Sequence, residues 1–81
     1  MFKNKAENGI NNVCGMKVYA LRKNSVPKMS QRALADKLQL LGIDVDKNAV
    51  QRIESGQRFV TDIELLSLAE IFGVTVDELL R

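Results

Sequence analysis

Three glycines divide the second half of the chain into short segments, and each follows a stretch with helical periodicity. They are Gly42, Gly56 and Gly73. Glycine commonly lies just past the end of a helix, because it adopts positive φ without steric cost. Polar residues that cap helices stand where the segments begin, at Ser30, Asp46, Thr61 and Thr75. These capping residues and helix-ending glycines predict a series of short helices rather than a sheet.

The segments between these signals have amphipathic spacing. A first helix is predicted over residues 12–24, because Cys14, Val18 and Leu21 recur every three or four residues. It must end by Val26, since Pro27 disfavours the helical conformation in the residue before it. Ser30 then begins a second helix and Asp46 a third, and a glycine ends each.

Two further helices are predicted from a repeated pattern. Thr61 and Thr75 are each followed three residues later by a glutamate, Glu64 and Glu78, which is the pattern of a capping box. The fourth helix ends at Gly73, and the fifth is short. No strand pattern competes, so the predicted fold is all-α, a compact bundle of five helices.

Composition limits the classes of function. With 81 residues the chain forms one domain, which we expect over residues 12–81 after a flexible tail at residues 1–11. Histidine is absent and Cys14 is the single cysteine, so histidine-based catalysis and internal disulfides are excluded. We expect a cytoplasmic protein without secretory signal or membrane span. We expect no enzyme, no cofactor and no metal, and Cys14 as a packing residue.

Charge is distributed unevenly along the chain. Residues 1–58 hold 11 Lys/Arg and 5 Asp/Glu, whereas residues 59–81 hold 1 and 5. A basic front and an acidic back suit a polyanionic partner that approaches from one side. The alternative is a segregation of charge without functional meaning.

The third helix has one polar side. At 100° per residue from Lys47, the side chains of Gln51, Ser55, Asn48 and Arg52 fall within about 140°, and Ala49, Val50 and Ile53 lie opposite. Arg and Lys pair with guanine edges, and Asn and Gln with adenine edges, in a DNA major groove. Two short helices joined by a tight link, the second with this face, indicate a helix-turn-helix. A solvated surface helix would show the same pattern.

Four stretches of the chain, taken together, resemble a known family. They are GMKVYALRK, SQRALADKL, AVQRIESGQR and LLSLAEIFGVTVDELL, and in this order they are similar to the Cro and lambda-repressor-like (Xre-type) helix-turn-helix DNA-binding domain. The similarity covers roughly residues 13–80. It implies a domain that binds double-stranded DNA.

The resemblance also implies roles for individual residues. Base contacts are expected from Lys47, Asn48, Gln51 and Arg52. Phosphate contacts are expected from Ser30, Gln31, Gln57 and Arg58. Arg22 and Glu54 match a structural ion pair, and the expected core contains Met29, Leu34, Ala35, Leu38, Val50, Ile53, Leu66, Ala69 and Phe72.

One stretch departs from the family pattern. The sequence QLLGIDVDKN adds about five residues between the second and third helices, which predicts a longer second helix and an unusual turn. Asp44 within it should point away from DNA, because a carboxylate repels phosphate.

These observations predict a sequence-specific transcriptional regulator, most simply a repressor that acts as a homodimer on a pseudo-palindrome. Its dimer interface is expected at Val76, Leu79 and Leu80, unless these side chains pack inward. The alternative is a protein-interaction module, such as an antitoxin or an adaptor, whose partner binds the acidic, leucine-rich back half.

Overall fold

Five helices follow one another in the described part of the chain, which in this computed structural model comprises residues 10–81. They are α1 (Gly15–Lys23), α2 (Gln31–Leu40), α3 (Lys47–Glu54), α4 (Asp62–Phe72) and α5 (Val76–Leu79). The range contains no strand, and the predicted all-α fold of five helices is confirmed. None of the helices within it has the length and hydrophobicity needed to cross a membrane.

The helix ends follow the local signals of the sequence. Side chains of Ser30, Asp46, Thr61 and Thr75 each accept a hydrogen bond from the backbone amide three residues later. At Thr61 the capping box is complete, because the Glu64 carboxylate also accepts from the Thr61 amide. Gly42, Gly56 and Gly73 have φ of 86°, 82° and 66°. These local interactions set the lengths of α2 to α5.

The beginning of the domain differs from the expectation. Helix α1 begins at Gly15 instead of residue 12, because the Asn12 side chain lies outside the helix and accepts from the Gly15 amide. The predicted tail reached residue 11, yet the Asn11 amide donates to the Gly56 carbonyl at 2.7 Å. Residues 1–9 of that predicted tail lie outside the described residues.

The core forms where the five helices meet. Its fully buried side chains are Cys14, Val18, Leu34, Leu38, Val50, Ile53, Leu68 and Leu79. The expectation for Leu66 was wrong, since this side chain is 63% exposed. Leu66 precedes the buried Leu68 by two residues, which turns it about 200° around α4. Of the predicted dimer residues, Leu79 packs inward, Val76 is half-buried and Leu80 is exposed.

The link between α2 and α3 is anchored to the core. Helix α2 has 10 residues, and the added residues form the link rather than further turns of helix. Val45 is 4% exposed within the core, and its carbonyl accepts from Gln39 Nε2 at 2.7 Å. The Ile43 amide donates to the Leu38 carbonyl at 3.0 Å. These contacts fix the start of α3, and Asp44 between them is exposed.

Candidate nucleic-acid interface

The polar side of α3 faces away from the protein. Lys47, Asn48, Gln51 and Arg52 are all exposed. On the opposite side, Val50 and Ile53 are 0% and 2% exposed. Within residues 10–81, no other side chain forms a hydrogen bond or ion pair with any of the four polar side chains. The donors of this face are therefore available to a ligand.

An ion pair between α1 and α3 fixes the orientation of that face. Arg22 donates from Nε and Nη2 to the two carboxylate oxygens of Glu54, at 2.5 and 3.0 Å. The two side chains are only 7% and 4% exposed. Burial disfavours the charged guanidinium, but its hydrogen bonds to Glu54 outweigh this effect and raise the pKa of Arg22 above its ordinary value. The Arg22 guanidinium therefore stays charged, and the pair holds α3 against α1.

Gln31, an expected phosphate contact, belongs to the same network. Its Nε2 donates to Glu54 Oε1 at 3.0 Å, and Arg22 Nη1 donates to the Met29 carbonyl at 3.0 Å. The side chain of Gln31 is half-buried. The neighbouring Ser30 is exposed, and its hydroxyl caps α2. The structure thus joins the start of α2 to the end of α3 through Glu54.

The loop after α3 carries the other two expected phosphate contacts. Gln57 is exposed, whereas Arg58 is half-buried. Arg58 donates from Nη1 and Nη2 to the carboxylate oxygens of Glu64, both at 2.9 Å. Sequence reasoning identified Glu64 only as part of a capping box, because its pairing with Arg58 depends on the path of the loop.

The Arg58 pair sets the protonation of Glu64. Hydrogen bonds from Arg58 lower the pKa of Glu64 below its ordinary value, burial opposes this change, and the Thr61 amide lowers the pKa further. Burial raises the pKa of the nearby Cys14 thiol, which favours the unreactive thiol form. Neither group offers an activated acid, base or nucleophile near α3.

A basic groove adjoins the start of α3. It has a volume of about 780 Å³ and lies between the end of α1 and the start of α2. Its cations are Arg22, Lys23, Lys28, Arg32 and Lys47, and none of the described residues that line it carries a carboxylate. Tyr19 supports its rim, with Lys23 Nζ 5.6 Å from the ring centroid.

Sequence reasoning did not identify Lys23, Lys28 and Arg32 as binding residues. The excess of lysine and arginine in residues 1–58 was the available signal, but charge counts do not reveal which cations share a surface. The groove joins them to Lys47 of α3. The exposed face of α3 and the groove share Lys47, and together we call them the α3 surface.

Comparisons with known proteins agree with this geometry. A family model described as Helix-turn-helix matches residues 27–79. The crystal structure of the DNA-binding domain of BldD is 31% identical to this chain, with a TM-score of 0.66, and the match covers 86% of this chain and 92% of that one. The S. venezulae BldD DNA-binding domain is also 31% identical, with a TM-score of 0.66 and coverage of 86% and 94%.

Comparison with curated protein sequences gives no match. The family model nevertheless spans more than half of the chain, and the structural neighbours have the same arrangement of helices. The chain belongs to the lambda-repressor-like (Xre-type) helix-turn-helix family, whose members are DNA-binding transcription regulators.

Proposed function

We propose that this protein is a sequence-specific regulator of transcription that reads double-stranded DNA with α3. The observation that carries the proposal is the open face of α3, where Lys47, Asn48, Gln51 and Arg52 are exposed without partners among the described residues. Their donors suit base edges in a major groove. Repression by occupying an operator is the simplest mode of action, and it requires no catalysis.

The surrounding cations and polar side chains would hold the DNA backbone. The basic groove supplies Lys23, Lys28 and Arg32, and the loop after α3 supplies Gln57 and Arg58. The amides and hydroxyl at the start of α2 add donors near Gln31. Contacts of this kind fix the register of a protein on DNA, while base contacts give specificity.

A homodimer would double the few base pairs that one α3 can read. We propose binding to a pseudo-palindrome with half-sites about 34 Å apart, one helical turn of DNA. Because Leu79 is 0% exposed, the interface cannot use it as first expected. Leu80, which is 44% exposed, remains available on α5.

The α4 surface favours a second candidate, a module that binds another protein. Ile63 and Leu66 are each 63% exposed, beside the exposed carboxylates of Asp62 and Glu70. Salt dependence separates the candidates. DNA binding that neutralises about five phosphates gives a log–log slope of about −4.5, whereas an apolar protein interface responds weakly to salt.

The decisive experiment selects oligonucleotides that the protein binds from a random duplex pool. We expect one motif with two symmetric half-sites. On that motif, Lys47→Ala or Arg52→Ala should weaken binding by about 1–3 kcal/mol and relax specificity at one base pair each. Fluorescence anisotropy with the selected duplex and single-base variants measures both effects.

Lys37→Ala is the matched control for these changes. It also removes one positive charge, but from an exposed residue of α2 that lies beside Glu70 and Ile71 of α4, and binding should be unchanged. If Lys47→Ala and Arg52→Ala are as silent as Lys37→Ala, the α3 surface is not the reading surface. If no motif is enriched, the protein does not read DNA sequence.

A further inference from the structure

The segment before α1 is hydrogen-bonded to the loop that follows α3. Asn11 and Asn12 donate four hydrogen bonds to backbone carbonyls, with donor–acceptor distances between 2.7 and 3.1 Å. One acceptor is the Ile53 carbonyl in the last turn of α3, and the other three are the loop carbonyls of Gly56, Gln57 and Arg58. Two adjacent asparagines thus hold the backbone of the part of the loop that carries two expected phosphate contacts, Gln57 and Arg58.

Each asparagine has a distinct part in this arrangement. Asn12 Nδ2 bridges the Ile53 and Arg58 carbonyls at 3.1 and 2.7 Å, and its Oδ1 accepts from the Gly15 amide at 2.8 Å. Asn11 uses its amide for Gly56 and its Nδ2 for Gln57, both at 2.7 Å. Its Oδ1 is buried without a hydrogen-bond partner. Asn11 therefore contributes its donors to the loop and leaves an acceptor unsatisfied.

Two glycines permit this close approach. A Cβ on Gly15 would lie 2.3 Å from the Ile53 carbonyl oxygen. A Cβ on Gly56 would lie 2.9 Å from Ile10 Cγ2, and Gly56 also has a φ of +82°. Gly15 thus lets the start of α1 approach the backbone at the end of α3, and Gly56 leaves room for the Ile10 side chain. A shift of the segment against the loop would break several hydrogen bonds.

The carbonyl oxygens of this loop would interact unfavourably with the phosphates of bound DNA. The C-terminal end of a helix carries partial negative charge on its last carbonyls, which repels a phosphate. Donors from Asn11 and Asn12 draw these oxygens toward α1, and the Gln57 and Arg58 amides both donate to the Arg52 carbonyl. The side chains of Gln57 and Arg58 are then among the polar groups that the loop offers to a ligand.

We propose that Asn11 and Asn12 are positioning residues for the contact between this loop and the DNA backbone. They act through the loop, because they fix its path and donate hydrogen bonds to the carbonyls that would otherwise face a phosphate. The proposal rests on the proposed function, since it names residues that prepare the same surface without touching DNA.

Asn12→Asp tests the proposal with the least change of shape. The carboxylate keeps an acceptor for the Gly15 amide but cannot donate to the Ile53 and Arg58 carbonyls. We expect affinity for the selected motif and for a random duplex to fall alike, by about three- to tenfold, as for one weakened phosphate contact. The log–log salt slope should flatten by about one unit, while the ratio of the two affinities stays the same.

Three further variants separate positioning from charge and from stability. Asn12→Ala removes the donors without adding a charge and should reproduce the loss. Asn11→Asp leaves Asn12 in place and should give a smaller uniform loss, which keeps the test valid if the Asn12 variants unfold. Ile71→Val removes one methylene from the packing of α4 against the core and lowers stability, but it should leave both affinity and salt slope unchanged.

The outcomes distinguish this proposal from the proposed function. Circular dichroism establishes that each variant is folded at the assay temperature. If the wild type binds its motif and the folded asparagine variants keep the wild-type affinity and slope, the positioning role is refuted and the DNA-binding function stands. If the wild type enriches no motif and binds no duplex, both are overturned.

Discussion

Two Arg–Glu pairs in this domain are both bidentate but have different surroundings. Arg22 and Glu54 join α1 to α3, with side chains 7% and 4% exposed. Arg58 and Glu64 join the loop after α3 to α4, with side chains 29% and 11% exposed. The first pair is enclosed by the protein, while the second leaves part of its guanidinium at the surface.

The partners of each pair explain the difference in their roles. Glu54 also accepts a hydrogen bond from Gln31, and Arg22 donates to the Met29 carbonyl. This network therefore connects three helices. The N–H group of Arg22 Nε already donates to Glu54 and is not available to DNA. Glu64 instead caps α4, and its Arg58 partner lies in a loop beside the α3 surface. Arg22 is thus part of the buried network, whereas Arg58 keeps exposed surface, which our proposal assigns to the DNA backbone.

The largest effect is expected when the enclosed pair is broken. Glu54→Ala leaves the Arg22 guanidinium buried without its carboxylate, and removal of one partner of a buried pair costs about 3–5 kcal/mol. Urea unfolding followed by circular dichroism measures the loss. An unchanged free energy of unfolding would contradict the structural role of the pair.

A double variant sharpens this prediction. In Arg22→Met with Glu54→Leu, both charges are replaced by apolar side chains, which often restores stability because no unpaired charge remains. We expect the double variant to be more stable than Glu54→Ala alone. If it is equally unstable, packing around Glu54 rather than the buried charge determines the cost.

A smaller effect on stability, and an opposite effect on binding, is expected for the second pair. Glu64→Gln replaces a charged acceptor of Arg58 and should lower the free energy of unfolding by about 1.5–3 kcal/mol. It also frees the Arg58 charge beside the α3 surface. DNA affinity should therefore rise for all sequences alike, with a salt slope steeper by about one unit. Weaker binding by a folded Glu64→Gln protein would show that the pair itself supports the interface.

The stability lost in Glu64→Gln should depend on pH. Because Arg58 lowers the pKa of folded Glu64, the pair stabilises the fold fully above the unfolded pKa, about 4.3 for glutamate. This contribution disappears as pH falls through the lower, folded pKa. The difference in unfolding free energy between wild type and variant should be constant near neutral pH and should fall toward zero in acid. A difference that persists in strong acid would contradict the assigned cause.

Features of the domain that depend on local sequence patterns could be predicted from its sequence. The caps at Ser30, Asp46 and Thr61 depend on residues three positions apart, and the exposed face of α3 depends on one helical period. Local patterns of this kind are visible in a sequence. They fixed the five helices and the side of α3 that is open.

The family resemblance indicated the Arg22–Glu54 pair, but other features that depend on contacts between distant segments were missed. Helix α4 is apolar on most of its circumference, so its sequence did not reveal that Leu66 faces outward and Leu68 inward. Asn12 contacts Arg58 across 46 positions, and polar residues near a terminus usually indicate a frayed tail. The path of the loop determines both this contact and the Arg58–Glu64 pair, and no local pattern encodes that path.

The smallest effect is expected at a third ion pair, which completes the comparison. Arg81 donates to Asp77 at 2.8 Å with side chains 76% and 69% exposed. Pairs of this exposure and spacing contribute only about 0.3–0.5 kcal/mol, because water screens them and long side chains lose freedom. Asp77→Asn should therefore shift the free energy of unfolding within that range, and added salt should abolish the shift. A loss as large as that of Glu64→Gln would mean that burial does not explain the ranking of the three pairs.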